Sequence, residues 1–157
     1  MITNPPRIEA ATGADWPDIV TFLAGTGLPI DDLGQGAPME FLVVRNTSGH
    51  IVGSIGIEGI GVERLIRSLA VAPALRGHGL GSTLLAAAEA QARDEGVVRL
   101  FLLTLTPAFF DHRGYDPVAR DAVPAAVAAS AEFIHLCPGD AACLTRLLEP
   151  SFSVIDE

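Results

Sequence analysis

Between Leu69 and Ser82 the chain reads Leu-Ala-Val-Ala-Pro-Ala-Leu-Arg-Gly-His-Gly-Leu-Gly-Ser, with glycines at 77, 79 and 81. Glycines at alternate positions permit positive φ and remove side chains, so successive backbone N–H groups can turn toward one point and hold a phosphate. Arg76 and His78 can add local donors. Leu80, Leu84, Ala87, Ala88 and Gln91 then recur at helical spacing, so the loop opens directly into a helix N-terminus. The unpaired N–H groups and positive dipole end of that terminus stabilise an anion even in a chain of formal charge −9. No Lys-Ser or Lys-Thr follows the glycines, which disfavours a nucleoside-triphosphate loop, and the glycine spacing misses the dinucleotide pattern.

Other residues could serve a reaction next to such a loop. Glu58 and Glu63 bracket a turn marked by Gly59 and Gly61. Either carboxylate could act as a general base through a water, with Glu58 the first choice; both read equally well as solvated groups beside a turn. Arg67, and less well Arg45, could pair bidentately with a substrate carboxylate. His135, Cys137 and Cys143 are metal-ligating types, but there is no fourth ligand and no Cys-x-x-Cys, so no metal is expected. Two cysteines are also too few for a disulfide framework.

The elements that must position these residues can be read from the surrounding pattern. A strand is expected at Arg7 to Ala10, then a helix capped by Thr12 or Asp15 and running to about Ala24, where Gly25 and Gly27 end it. Residues 28 to 38, with Pro29, Gly34, Gly36 and Pro38, read as a connection that could cover a substrate. Phe41 to Val44, Ile51 to Ile57 and Leu65 to Val71 form an antiparallel meander, with a hairpin signal at Asn46, Ser48 and Gly49. The helix from Gly81 closes after Arg93 at Gly96, and Val97 to Leu105 suits a central strand buried on both faces. A short helix at Ala108 to His112, a strand near Tyr115 to Arg120 and a helix within Pro124 to Glu132 complete the layers, while the last twenty residues carry no clear assignment.

At 157 residues, 49% hydrophobic and 18% charged, the chain can bury one substantial core, so a single domain over residues 1 to 157 is expected. Repeats and linkers are absent. No apolar run reaches the length of a membrane span, and the first twenty residues lack a secretory core, so a cytoplasmic protein is expected. The negative charge and the lack of a Lys/Arg run argue against nucleic-acid binding.

Val71-x-Pro73-x-x-Arg76-x-x-Gly79-x-Gly81 resembles the signature of the GNAT family of N-acetyltransferases, between strand and helix. Phe109-Phe110-Asp111-His112-Arg113-Gly114-Tyr115 is similar to the family's second motif, in the right order. The resemblance covers most of residues 5 to 120. It implies an α/β (α+β) fold with a mixed, mostly antiparallel sheet of about six or seven strands flanked by helices. It also implies acetyl-CoA as co-substrate. Leu69, Ala70 and Val71 would meet its arm and thioester, and Arg76, Gly77, His78, Gly79, Leu80, Gly81 and Ser82 its pyrophosphate. Phe109 and Phe110 would lie along the cofactor, and Arg113 would reach the nucleotide phosphate. The strand splays at Val71 in the family, so the backbone N–H of Val71 would be the oxyanion donor. The family often has Tyr where Phe110 stands, so Tyr115 or a water is left to protonate the thiolate.

Arg67-Ser68-Leu69-Ala70-Val71, Leu103-Thr104-Leu105-Thr106 and Glu132-Phe133 to Leu136-Cys137-Pro138 are similar to a subgroup of arsenic-resistance N-acetyltransferases. Leu103 to Tyr115 is also similar to the transferase domain of N-acetylglutamate synthase. Both comparisons imply a small, amino-acid-like amine as acceptor and an enzyme that acetylates it by direct attack. The alternatives are a non-enzymatic acetyl-CoA sensor or subunit, motivated by Phe110, and a protein N-acetyltransferase. A homodimer is common among such small enzymes.

Overall fold

The computed structural model describes residues 7–28, 39–130 and 141–148. Seven strands form one sheet: β1 (Ile8–Ala10), β2 (Met39–Arg45), β3 (Ile51–Glu58), β4 (Glu63–Val71), β5 (Arg99–Thr104), β6 (Asp116–Pro117) and β7 (Ala142–Leu147). Their spatial order is β1-β2-β3-β4-β5-β7-β6. The β4–β5 pairing is parallel and the others are antiparallel. The expected meander and mixed sheet are therefore present. The helices are α1 (Trp16–Thr26), α2 (Leu80–Asp94), α3 (Pro107–Asp111) and α4 (Ala125–Ala128).

Local chemistry explains the boundaries. The Thr12 N–H donates to Asp15 Oδ2 at 2.8 Å, fixing the turn that leads into α1. This helix runs through Gly25, and Gly27 at φ 80° ends it. β5 begins two residues later than the apolar run suggests, because Val97 N–H closes the end of α2 on the Ala92 carbonyl and Val98 N–H bonds Val62. β7 forms in the stretch without an assignment and lies between β5 and β6. Residues 29–38, Glu132, Phe133, His135 and Cys137 lie outside the described residues.

The two sheet faces are covered separately. On β2, Leu42 and Val44 face α2 and pack with Ile55, Ile66, Leu84 and Leu85, while Phe41 and Val43 pack with Ile19 and Leu23 of α1. Farther along, Leu100 and Leu102 of β5 join the α2 side, and Phe101 packs with Val123 and Val127 next to α4. This alternation is the period-two pattern of strands buried on both faces. Gly53 lets α2 approach the sheet: a Cβ there would lie 3.1 Å from Leu84 Cδ1.

Candidate active site

The site arises where the parallel pair comes apart. β4 and β5 pair at Glu63–Arg99, Arg64–Leu100 and Leu65–Phe101. Beyond Leu65, β4 continues against β3 to Val71, while β5 continues against β7 to Thr104. The strands diverge and open a groove of about 1110 Å³. Ile66 to Val71 line one wall; Leu102 to Thr106, Phe109 and Phe110 line the other; the glycine loop lies along it.

The exposed edge of β4 carries backbone groups that an extended ligand could use. Ala72 N–H donates to the Val52 carbonyl at 2.8 Å, which turns it toward β3. Strand alternation therefore turns the N–H and C=O of Val71 toward the groove, and those of Leu69 likewise. The Val71 carbonyl accepts from Arg76 Nε at 3.0 Å. The register jumps between Gly56–Arg67 and Ser54–Ala70, so Ser68 and Leu69 together oppose Ile55. This bulge sits upstream of Val71, where the resemblance put the splay, and makes Leu69 N–H an equal donor candidate.

At the end of β4, Gly77 and Gly79 have φ of 85° and 81°. A Cβ on either would meet nothing within 4 Å, so the requirement there is conformational, not steric. The first helical bond of α2 runs from Thr83 N–H to the Gly79 carbonyl at 3.1 Å, so the N–H groups of Leu80, Gly81 and Ser82 precede it at an open helix N-terminus. Arg113 reaches across from the end of α3: its Nε donates to Ser82 Oγ at 2.8 Å and its guanidinium lies 3.9 Å from the Phe109 ring centre. Two guanidiniums, Arg76 and Arg113, thus border a positive helix end, an arrangement suited to a polyanion. A cradle open to backbone approach, lengthened by an apolar groove with an unpaired strand edge, fits a phosphorylated ligand with an extended amide arm.

Comparison with known proteins agrees with this geometry. Residues 11–115 match the Acetyltransferase (GNAT) family. The chain belongs to that family. An uncharacterized N-acetyltransferase of Chlorobaculum tepidum is 37% identical over 82 residues, 52% of this chain and 53% of that protein, so the match spans about half the length of that relative. The fold is similar to N-acetylglutamate synthase from Neisseria gonorrhoeae complexed with coenzyme A and N-acetyl-glutamate: TM-score 0.76, 23% identity, 94% of this chain and 36% of that one. It is also similar to Rv2747 from Mycobacterium tuberculosis in complex with CoA and NLQ, with TM-score 0.71, 23% identity and coverage of 92% and 100%.

Within this GNAT fold the residues singled out by sequence divide into two groups. Arg67, Leu69, Ala70, Val71, Arg76, Gly77, Gly79, Leu80, Gly81, Ser82, Phe109, Phe110 and Arg113 line the groove. Glu58, Arg45, His78 and Tyr115 are not among its described lining residues. His78 is exposed between Gly77 and Gly79, and Glu63 is exposed at the start of β4, opposite Arg99. Arg45 donates to Asp15 and to the Gly49 carbonyl and stands 3.9 Å from Glu9, so its charge ties β2 to the turn before α1. Asp15 is held below the ordinary carboxylate range by the Thr12 backbone N–H and by Arg45.

Glu58 accepts from Arg67 Nη1 at 2.8 Å, with both side chains buried. This geometry favours a counter-ion to Arg67 over the general base expected of Glu58. Tyr115, 2% exposed, donates to Glu89 Oε2 at 2.8 Å inside the core, and Arg146 Nη1 approaches the same oxygen at 3.0 Å. Burial, then the Glu89 charge and hydrogen bond, push the Tyr115 phenol up. Its hydroxyl is therefore turned away from the groove, in a network that sequence reading missed. The available signal was a lone Glu at the helical spacing of Leu85, Ala88 and Ala92. Among the described residues no three His, Cys, Asp or Glu side chains gather as metal ligands, and no helix is long and apolar enough to cross a membrane.

Proposed function

We propose that this protein transfers the acetyl group of acetyl-CoA to the amine of a small, amino-acid-like substrate. The observation that carries the reading is the meeting of the β4–β5 gap with the glycine loop at the N-terminus of α2. The loop and helix N–H groups, with Arg76 and Arg113, would bind the pyrophosphate. The free edge of β4 would take the amide arm as an added strand, and the N–H groups of Leu69 and Val71 would face the thioester. The acceptor amine adds to the thioester carbon and the C=O π pair moves onto oxygen; the pair returns as the C–S bond breaks, and the amine proton passes to water. Phe110, packed edge-to-face against Phe109 and Tyr115, offers no proton, so the departing thiolate, with an ordinary pKa of ~8.5, takes one from solvent.

For the acceptor, Arg67 is the cation on the groove wall away from Arg76 and Arg113 among the described residues. The Arg67 side chain is fully buried against Glu58 and Ser68, so a substrate carboxylate would have to displace part of that pairing, an exchange that would select amino-acid-like amines. The N-acetyl-glutamate complexed with the Neisseria synthase is in keeping with this class. The subgroup resemblance adds organoarsenical amino acids to it.

The test is free-thiol release from acetyl-CoA over a panel of amino acids, glutamate analogues, arsenical amino acids, polyamines and a basic peptide. Arg67→Ala is assayed together with Glu58→Gln, so that no buried charge is left unpaired. Turnover on carboxylate-bearing amines that falls about 10- to 100-fold in the double variant, with amines lacking a carboxylate less affected, supports the reading. Binding of acetyl-CoA without turnover on any amine would instead identify a sensor, and turnover on the peptide alone a protein acetyltransferase.

A further inference from the structure

Ser68 adopts φ 57°, the one non-glycine residue in the left-handed region among those described. It lies on the β4 bulge, where strand alternation is broken: Leu65 and Arg67 share one phase and Leu69 and Val71 the next, with Ser68 between them at the groove. A left-handed serine costs more than a glycine would, and such strain is retained where a side chain has work to do.

Its polar atoms are almost fully committed. The Ser68 carbonyl accepts from the buried Ser54 hydroxyl at 2.9 Å. Arg67 Nε–H donates to Ser68 Oγ at 3.2 Å, and the same guanidinium is anchored by Glu58. The Oγ is thereby used as an acceptor, and a hydroxyl that accepts one bond can donate another. Ser68 lines the groove next to Leu69, so this O–H can turn toward a ligand held there.

The geometry points to Ser68 as a catalytic hydrogen-bond donor that completes an oxyanion hole with the Leu69 N–H. The inference rests on the acetyl-transfer reading above. As the amine nitrogen bonds to the carbonyl carbon, the C=O π pair moves onto oxygen, where Ser68 O–H and Leu69 N–H hold it. The pair returns as the C–S bond breaks with both electrons on sulfur, the amine proton goes to water, and Ser68 keeps its own proton.

Ser68→Gly is the discriminating variant, because glycine accepts the backbone conformation and removes the hydroxymethyl group together with its bond from Arg67 Nε. Thiol-release kinetics and thermal melts are measured on it, on Ser68→Ala and on the parent. The expected result is a kcat about 10- to 100-fold lower for Ser68→Gly, with KM for acetyl-CoA within about twofold, and a melting temperature within about 4 °C of the parent, because the strain relieved at φ 57° is offset by the acceptor lost to the buried Arg67 Nε–H. Ser68→Ala should lose the same activity and melt lower than Ser68→Gly, because it loses the same acceptor and keeps the strain. A Ser68→Gly enzyme of undiminished kcat, or one changed in KM alone, overturns the donor role while leaving the acetyl-transfer reading in place. Absence of turnover in the parent overturns that reading and the donor role with it.

Discussion

Tyr115→Phe separates a proton donor from a structural hydrogen bond, because it deletes the hydroxyl and nothing else. The phenol is buried and donates at 2.8 Å to Glu89, whose side chain is itself buried and keeps Arg146 at 3.0 Å after the change. Losing one bond to a charged, still partly compensated acceptor costs about 1.5–2.5 kcal/mol. For a chain of this size that corresponds to a melting temperature lower by about 3–10 °C. Turnover should stay within about twofold of the parent, since the hydroxyl points into the core and away from the groove. The pH dependence has a definite sign. Burial and Glu89 raise the folded phenol above its ordinary value, so its contribution to stability is complete below the unfolded value of about 10 and is lost as pH rises above it. Melts between pH 9 and 11 should therefore fall more steeply for the parent than for Tyr115→Phe. The reasoning is refuted if kcat drops tenfold or more while the melting temperature is unchanged, for then the hydroxyl serves the reaction and not the core.

Two further substitutions probe the loop and the sheet. Gly79→Ala places a side chain in open space but at φ 81°, so about 1–2 kcal/mol of strain should appear as a roughly tenfold weaker CoA affinity by calorimetry, with kcat at saturation little changed. Gly56→Ala would set its Cβ 3.0 Å from Phe41 Cζ and 3.1 Å from Phe41 Cε2, and the displaced ring should lower stability by about 1–3 kcal/mol in urea titrations.

The features legible in the sequence are those governed by neighbours along the chain. The glycines at 77, 79 and 81, the apolar spacing of α2 and the alternating strands of the meander each depend on a few adjacent residues, and they located the cradle and the sheet. Pairings made across the sheet left no such trace. Ile66 to Val71 reads as an unbroken β run, and only the register against β3 exposes the bulge at Ser68 and Leu69. Glu58 reads as a free carboxylate beside a turn until β3 and β4 bring Arg67 to it. Arg45 likewise finds Asp15 through tertiary contact, thirty positions away in sequence. β7 gave little local signal because Ala142 to Leu147 becomes a strand through the edge that β5 and β6 offer it.

The position of that late strand also bears on how the molecule assembles during synthesis. β5 is held to β4 at only three residue pairs and depends on β7, encoded well after it, for its other side. A nascent chain that has emerged as far as α4 therefore displays Arg99 to Thr104 as an apolar, almost unpaired edge, open to the wrong neighbour. The divergence that creates the groove thus leaves a folding liability, and newly made chains stalled before Ala142 are where chaperone contact or aggregation should concentrate.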